Sequence, residues 1–151
     1  WFKINKQKEP DIIVHIRPTT PLRDPSIIDQ AIKMFLGQKN ATSLRSVHIM
    51  SESAYKTFEI SSNGNLMPIF SHISDIDFQN NPRQMFPETY AANGYVDIIS
   101  CQHVKEFKSI HGNNVIPFLT ERMVEVDCED DFEYLNYLVK ENPNLIKKVF
   151  K

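Results

Sequence analysis

The chain has 151 residues, 41% of them hydrophobic and 24% charged, with a formal net charge of −2. That is ordinary for a globular domain with its own core, and it excludes a nucleic-acid protein held by bulk positive charge. No apolar run reaches the length of a membrane span, no secretory signal is visible, and the two cysteines, Cys101 and Cys128, make neither a disulfide framework nor a zinc pattern, so reduced thiols in a cytoplasmic protein are expected.

The opening, WFKINKQKE, reads as the tail of a helix closed by Pro10, with an amino-terminal portion expected before it. Asp11 to Ile16 is a nearly continuous apolar run, the pattern of a strand buried on both faces. RPTTPLRDP follows, and its prolines forbid regular structure. Asp24-Pro25 reads as an N-cap and first helical residue, Ile27, Ile28, Ala31, Ile32 and Phe35 recur at helical spacing, and Gly37 is a C-terminal cap. A second strand over Leu44 to Met50 completes a βαβ unit, which predicts parallel strands. Ligands in such sheets bind at the carboxyl ends of the strands, where RPTTPLR sits.

Thr57 to Ile60 and Leu66 to Phe70 flank Asn63-Gly64, a hairpin signal that calls for positive φ at both turn residues. His72 to Pro87 is polar and long for a plain connection, so it is either a functional loop or a surface that packs on another subunit. Ala92-Asn93-Gly94 reads as a turn entering a strand, Ser100 caps a helix to Lys108, His111 to Asn114 is a turn, and Val115 to Leu119 is a short strand.

Met123 to Leu138 is the most informative stretch. It reads as a strand breaking directly into a helix. Glu125 and Asp127, two residues apart, would project from one face of that strand. Glu129, Asp130 and Asp131 load the first helical turn, where the macrodipole favours negative charge, and Phe132, Leu135 and Leu138 form the apolar stripe. Asn142-Pro143 stops the helix, and a last short turn runs towards Lys151. From Trp1 to Lys56 there are nine Lys or Arg against five Asp or Glu; from Glu121 to Glu133 there are seven acids and one Arg. Such a division suits a site holding an anion with a divalent cation, and equally an uneven solvated surface.

HIRPTTPLRDP, SAYKTFEI, NPRQMFPETYAANGYVDII and VEVDCEDDFEYL occur in the order found in one enzyme family. Over nearly its whole length the chain resembles the CMP-sialic acid synthetases (acylneuraminate cytidylyltransferases) and their CMP-legionaminate and CMP-pseudaminate relatives. The resemblance implies an α/β fold, a Rossmann-like three-layer α/β/α arrangement with a mainly parallel sheet and an inserted β-hairpin dimerisation segment at 57–82. It implies transfer of CMP from CTP to the anomeric hydroxyl of a nonulosonic acid, with release of pyrophosphate, in cell-surface polysaccharide biosynthesis. It also implies Mg²⁺, CTP as co-substrate, an acid sugar as partner, and a homodimer.

On this resemblance Glu125 and Asp127 match the paired metal-ligand carboxylates, with Asp127 catalytic; the family's usual pair is Asp-x-Asp, so Glu125 is a departure. Lys56 and Arg83 match the cations that hold the sugar acid, and Gln84, Asn93 and the backbone at Gly94 would orient its hydroxyl and amide groups. Arg17 stands at a substrate-binding position where the family often has a sugar-contacting Gln, which implies a different sugar or an extra anion contact. Arg23 matches a family arginine whose plainer role is a structural salt bridge. The five histidines show no metal-ligand spacing, although His72, in the cross-subunit segment, is placed to line a site. Only four glycines occur, none in a phosphate-cradling arrangement, so the chain reads as a cytidylyltransferase domain over 1–151 without its nucleotide loop, inactive on its own. The alternatives are a CMP-Kdo-type enzyme and a non-catalytic sugar-acid binding or dimerisation module.

Overall fold

The computed structural model describes residues 4–5, 7–70 and 75–149. The expected opening helix and His72 lie wholly or partly outside these residues. The chain forms two compact units, one built from 1–47 and 92–151, the other from 48–91.

In the first unit, α1 spans Pro25–Leu36 with Asp24 as N-cap, its carboxylate accepting from the Ser26 N–H. Proline at the first position has no N–H to leave unpaired, so the cap and proline together set the start. The isoleucine stripe of α1 packs Ala31 and Phe35 against Leu44 of β2 (Ser43–Ile49) and Val96 and Ile98 of β5 (Tyr90–Ser100). Ile12 and Val14 of β1 (Ile12–His15), and Ile116 and Phe118 of β6 (Val115–Leu119), complete this layer. A fully buried member such as Leu44 or Ile98 contributes about 1.5–3 kcal/mol.

The sheet order is β1-β5-β2-β6. β2 and β6 are parallel, but β1 runs antiparallel to β5, with Ile12 opposite Ser100 and His15 opposite Asp97. The fold is α/β with a mixed, Rossmann-like sheet. β5 lies between β1 and β2. One expectation is corrected. β1 is an edge strand, not one buried on both faces: Ile12 and Val14 reach the core while Ile13 stays 46% exposed. The short apolar run Ile12-Ile13-Val14 looks the same in both settings.

Ser100 caps α2 (Cys101–Phe107), and α3 (Glu129–Glu141) and α4 (Asn144–Val149) close the chain. The strand expected before α3 does not form. From Glu121 to Val126 the backbone is irregular, because its hydrogen bonds go to a loop instead of a ladder: the Val126 N–H donates to the Thr19 carbonyl at 2.8 Å. The turn expected at Ala92-Asn93-Gly94 is also absent, since all three belong to β5.

The second unit has a cluster of aromatic rings in which only Phe86 is buried, with Tyr55 stacked on Phe70 at 4.5 Å and Phe78 edge-on to Phe86 at 5.4 Å. β3 (Phe58–Ile60) and β4 (Leu66–Pro68) form the hairpin. Its turn differs from the expected two-residue type. Ser61 accepts from the Gly64 N–H and donates its own N–H to Asn65, and Gly64 alone among the turn residues has positive φ, at 79°. That is a three-residue loop ending in a left-handed glycine. Short 3₁₀ turns at Ile76–Asn80 and Arg83–Met85 occupy the polar stretch.

Candidate functional site

In the first unit the RPTTPLR loop, β5 and the acidic segment converge on Gly94. The Gly94 N–H donates to Glu125 Oε1 at 2.7 Å, and its carbonyl accepts from Arg23 Nη2 at 2.7 Å. A Cβ here would lie 2.6 Å from Thr20 Oγ1 and 3.2 Å from both Arg17 Cδ and Glu125 Oε1. Glycine is therefore needed for close approach, since β5 could not otherwise come this near three side chains.

Arg23 is buried and braces the same point. Its Nε donates to the Tyr95 carbonyl at 2.7 Å, and its Nη2 also reaches the Arg17 carbonyl. Burial lowers its pKa, opposed by Tyr95 and Glu125. No carboxylate pairs directly with it among the described residues. Its structural role is thus real, but runs through backbone carbonyls and not through the expected salt bridge. Thr20, fully buried, has a hydroxyl with no partner among the described residues.

Glu125 is half-buried and Asp127 exposed. Asp131 holds the α3 start by accepting from the Asp127 N–H at 3.0 Å and the Cys128 N–H at 3.2 Å. These bonds, that from Asp127 first and that from the Cys128 thiol next, lower the Asp131 pKa. Among the described residues no group of three or more His, Cys, Asp or Glu is placed to hold a metal. Glu125 and Asp127 offer two hard carboxylates, one already committed through one oxygen to a backbone N–H. That set fits Mg²⁺ completed by phosphate oxygens and water, and does not fit a metal caged by protein alone.

Asn93 was expected to face the sugar, and its amide is instead tied to the protein at both ends. Nδ2 donates to Thr120 Oγ1 at 2.9 Å and Oδ1 accepts from the Tyr95 N–H at 3.2 Å. Gly94 likewise has both backbone groups engaged. Both residues shape the site without offering it a free polar group.

Lys56, Arg83 and Gln84 belong to the second unit. Lys56 Nζ donates to the Asn81 carbonyl at 3.0 Å and Arg83 Nη2 to the Met50 carbonyl at 2.7 Å. Arg83 and Gln84 line a cavity of about 370 Å³ with Phe86, Pro87 and Glu88. Lys56 does not line it. A larger cavity of about 670 Å³ lies where β1 begins and β5 meets α2, lined by Lys8, Asp11, Cys101 and Lys105. Its cations are already matched, Lys8 with Asp11 at 3.6 Å and Lys105 with Glu9.

The structure thus brings Arg17, Gly94 and Glu125 together in one unit and Arg83 with Gln84 in the other. Sequence reasoning missed Thr20 and Glu88. Both lie inside motifs already singled out, PTTPL and FPETY, yet neither spacing nor composition distinguishes a buried hydroxyl or a cavity-lining acid from ordinary loop residues.

No protein-family model matches the chain, and no curated protein matches it. In fold it is similar to the solved structure of CMP:2-keto-3-deoxy-manno-octonic acid synthetase complexed with CTP, with a TM-score of 0.60 and 12% identity. The match covers 92% of this chain and 66% of that one, so the chain spans about two thirds of that structure's length. At this identity the likeness is one of fold.

Proposed function

We propose that this sequence belongs to a cytidylyltransferase that moves CMP from CTP onto the anomeric hydroxyl of an acid sugar. The observation that carries the reading is the convergence of Arg17, Thr20 and Glu125 on Gly94, at the loop after β1, in a fold shared with a CTP-complexed synthetase. In the reaction a bond forms between the anomeric oxygen and the α-phosphorus. The bond to the bridging oxygen breaks, pyrophosphate leaves with its electron pair, and the hydroxyl proton passes to solvent. Such transfer depends mostly on positioning and charge neutralisation.

Asp127, with the uncommitted oxygen of Glu125, would hold Mg²⁺ together with the triphosphate. The ion would supply charge neutralisation on the phosphate oxygens. Arg17 offers a cation beside this point, while Arg23, Asn93 and Gly94 keep the loop, strand and acidic segment in register. Arg83 and Gln84 would hold the sugar carboxylate, since a guanidinium meets a carboxylate with two parallel hydrogen bonds. Lys56, which does not line that cavity, would act as a positioning cation through its bond to the Asn81 carbonyl. The hairpin exposes Ile60, Leu66, Met67 and Ile69, which supports its docking on a second copy as a homodimer.

Two sugar classes fit. The motifs favour a nonulosonic acid; the fold neighbour, which by name acts with an eight-carbon keto-deoxy acid, favours a Kdo-type substrate. The test is a pyrophosphate-release assay on the intact protein that carries this sequence, with CTP, Mg²⁺ and a panel of both acid classes. Release with one acid supports the reading and names the class; no release with any of them overturns it.

A further inference from the structure

The second-unit cavity carries a charge that an anion site does not need. Arg83 and Gln84 share its wall with the carboxylate of Glu88, and Phe86 and Pro87 provide an apolar side. Among the described residues, Arg83 has no ion-pair partner. Glu88 is exposed and lines the cavity, and its Oε2 accepts from the Tyr90 hydroxyl at 2.9 Å. At about 370 Å³ the space is at the small end of the range for small-molecule sites, roughly 300–1,000 Å³.

A carboxylate beside an anion-holding arginine repels the ligand it shares the cavity with, unless the ligand brings a hydrogen-bond donor to it. Resting on the acid-sugar reading above, we infer that Glu88 is the specificity-determining residue of this cavity. It accepts from a hydroxyl or amide N–H of the sugar whose carboxylate Arg83 holds, with Phe86 and Pro87 against the carbon skeleton. The ligand class is a carboxylated polyol with a donor placed away from its carboxylate. Bare carboxylates and further anionic groups are disfavoured.

The experiment is an NMR titration of the ¹⁵N-labelled chain, read at the Arg83 Nε–H and Gln84 side-chain signals. The probes are N-acetylneuraminate, 3-deoxy-octulosonate and pyruvate, the last a keto acid without the polyol. Wild type should bind at least one sugar acid more tightly than pyruvate. Glu88→Ala should weaken that sugar acid roughly tenfold, the scale of one charge-assisted hydrogen bond, while tightening pyruvate by relieving repulsion. Glu88→Gln, which keeps an acceptor without the charge, should recover part of the sugar affinity. A merely structural role would not shift the two ligands in opposite directions. If Glu88→Ala moves both probes the same way, or neither, while Arg83→Gln still abolishes sugar binding, the inference about Glu88 is overturned and the acid-sugar reading stands. If no probe perturbs Arg83 in wild type, this cavity is not the acid-sugar site and the inference falls with it.

Discussion

Glu125 and Asp127 are two residues apart, yet their surroundings assign them different tasks. Glu125 takes the Gly94 N–H at 2.7 Å and lies within the field of the buried Arg23, whereas the Asp127 side chain is exposed beside the α3 start. Removing the acceptor from a buried N–H costs about 1–3 kcal/mol. Glu125→Ala should therefore lower stability by about that amount, while Glu125→Gln, which still accepts, should leave the melting temperature nearly unchanged. Asp127→Asn should do the reverse, sparing stability and abolishing Mn²⁺ binding in the presence of CTP, as followed by electron paramagnetic resonance. Undiminished Mn²⁺ binding in that variant would remove Asp127 from the ligand set. The spacing of the two acids is visible in the sequence, but the bond that Glu125 makes to β5 is not. Only the longer arm's partner shows that the residue also braces β5.

At the level of elements, the helices were the legible part. Proline after Asp24, serine before Cys101 and Asn142-Pro143 each mark a boundary by a local hydrogen bond or its loss, which is why α1, α2 and α3 lie where expected. The strand before α3 was misread because alternating Val and acid is compatible with any extended backbone, and what decides is whether a neighbouring strand has free groups to offer. The α3 start carries a pH prediction. The Asp131 pKa is lowered in the folded chain from the ordinary value of 3.8. A lowered carboxylate contributes stability that is present above its unfolded pKa and lost as pH falls through the folded one. The amide signals of Asp127 and Cys128 should thus hold steady down to about pH 4 and move together below it. Asp131→Asn should abolish that transition, and an Asp131 titrating above the ordinary carboxylate range would contradict the capping geometry.

Across the whole molecule, the α/β class was readable because strand, capped helix and strand follow one another, while the sheet order was not. No local pattern records that β5, far along the chain from β1, slots between β1 and β2 and pairs antiparallel with the first. Nor does the sequence announce that 48–91 gathers Tyr55, Phe70, Phe78 and Phe86 into a ring cluster of its own. The two clusters use different materials. One is mainly aliphatic with Phe35 and Tyr95 among its buried residues; the other is a cluster of rings around the buried Phe86. Phe35, 6% exposed, anchors the first. Truncation of a buried phenylalanine costs about 3–5 kcal/mol, a large share of the about 5–15 kcal/mol that holds an ordinary domain together. Phe35→Ala should move the urea midpoint of the first unit down sharply and strip hydrogen-exchange protection from Leu44, Val96 and Ile98. A variant in which those three amides keep their protection would mean that α1 is not what closes this face of the sheet.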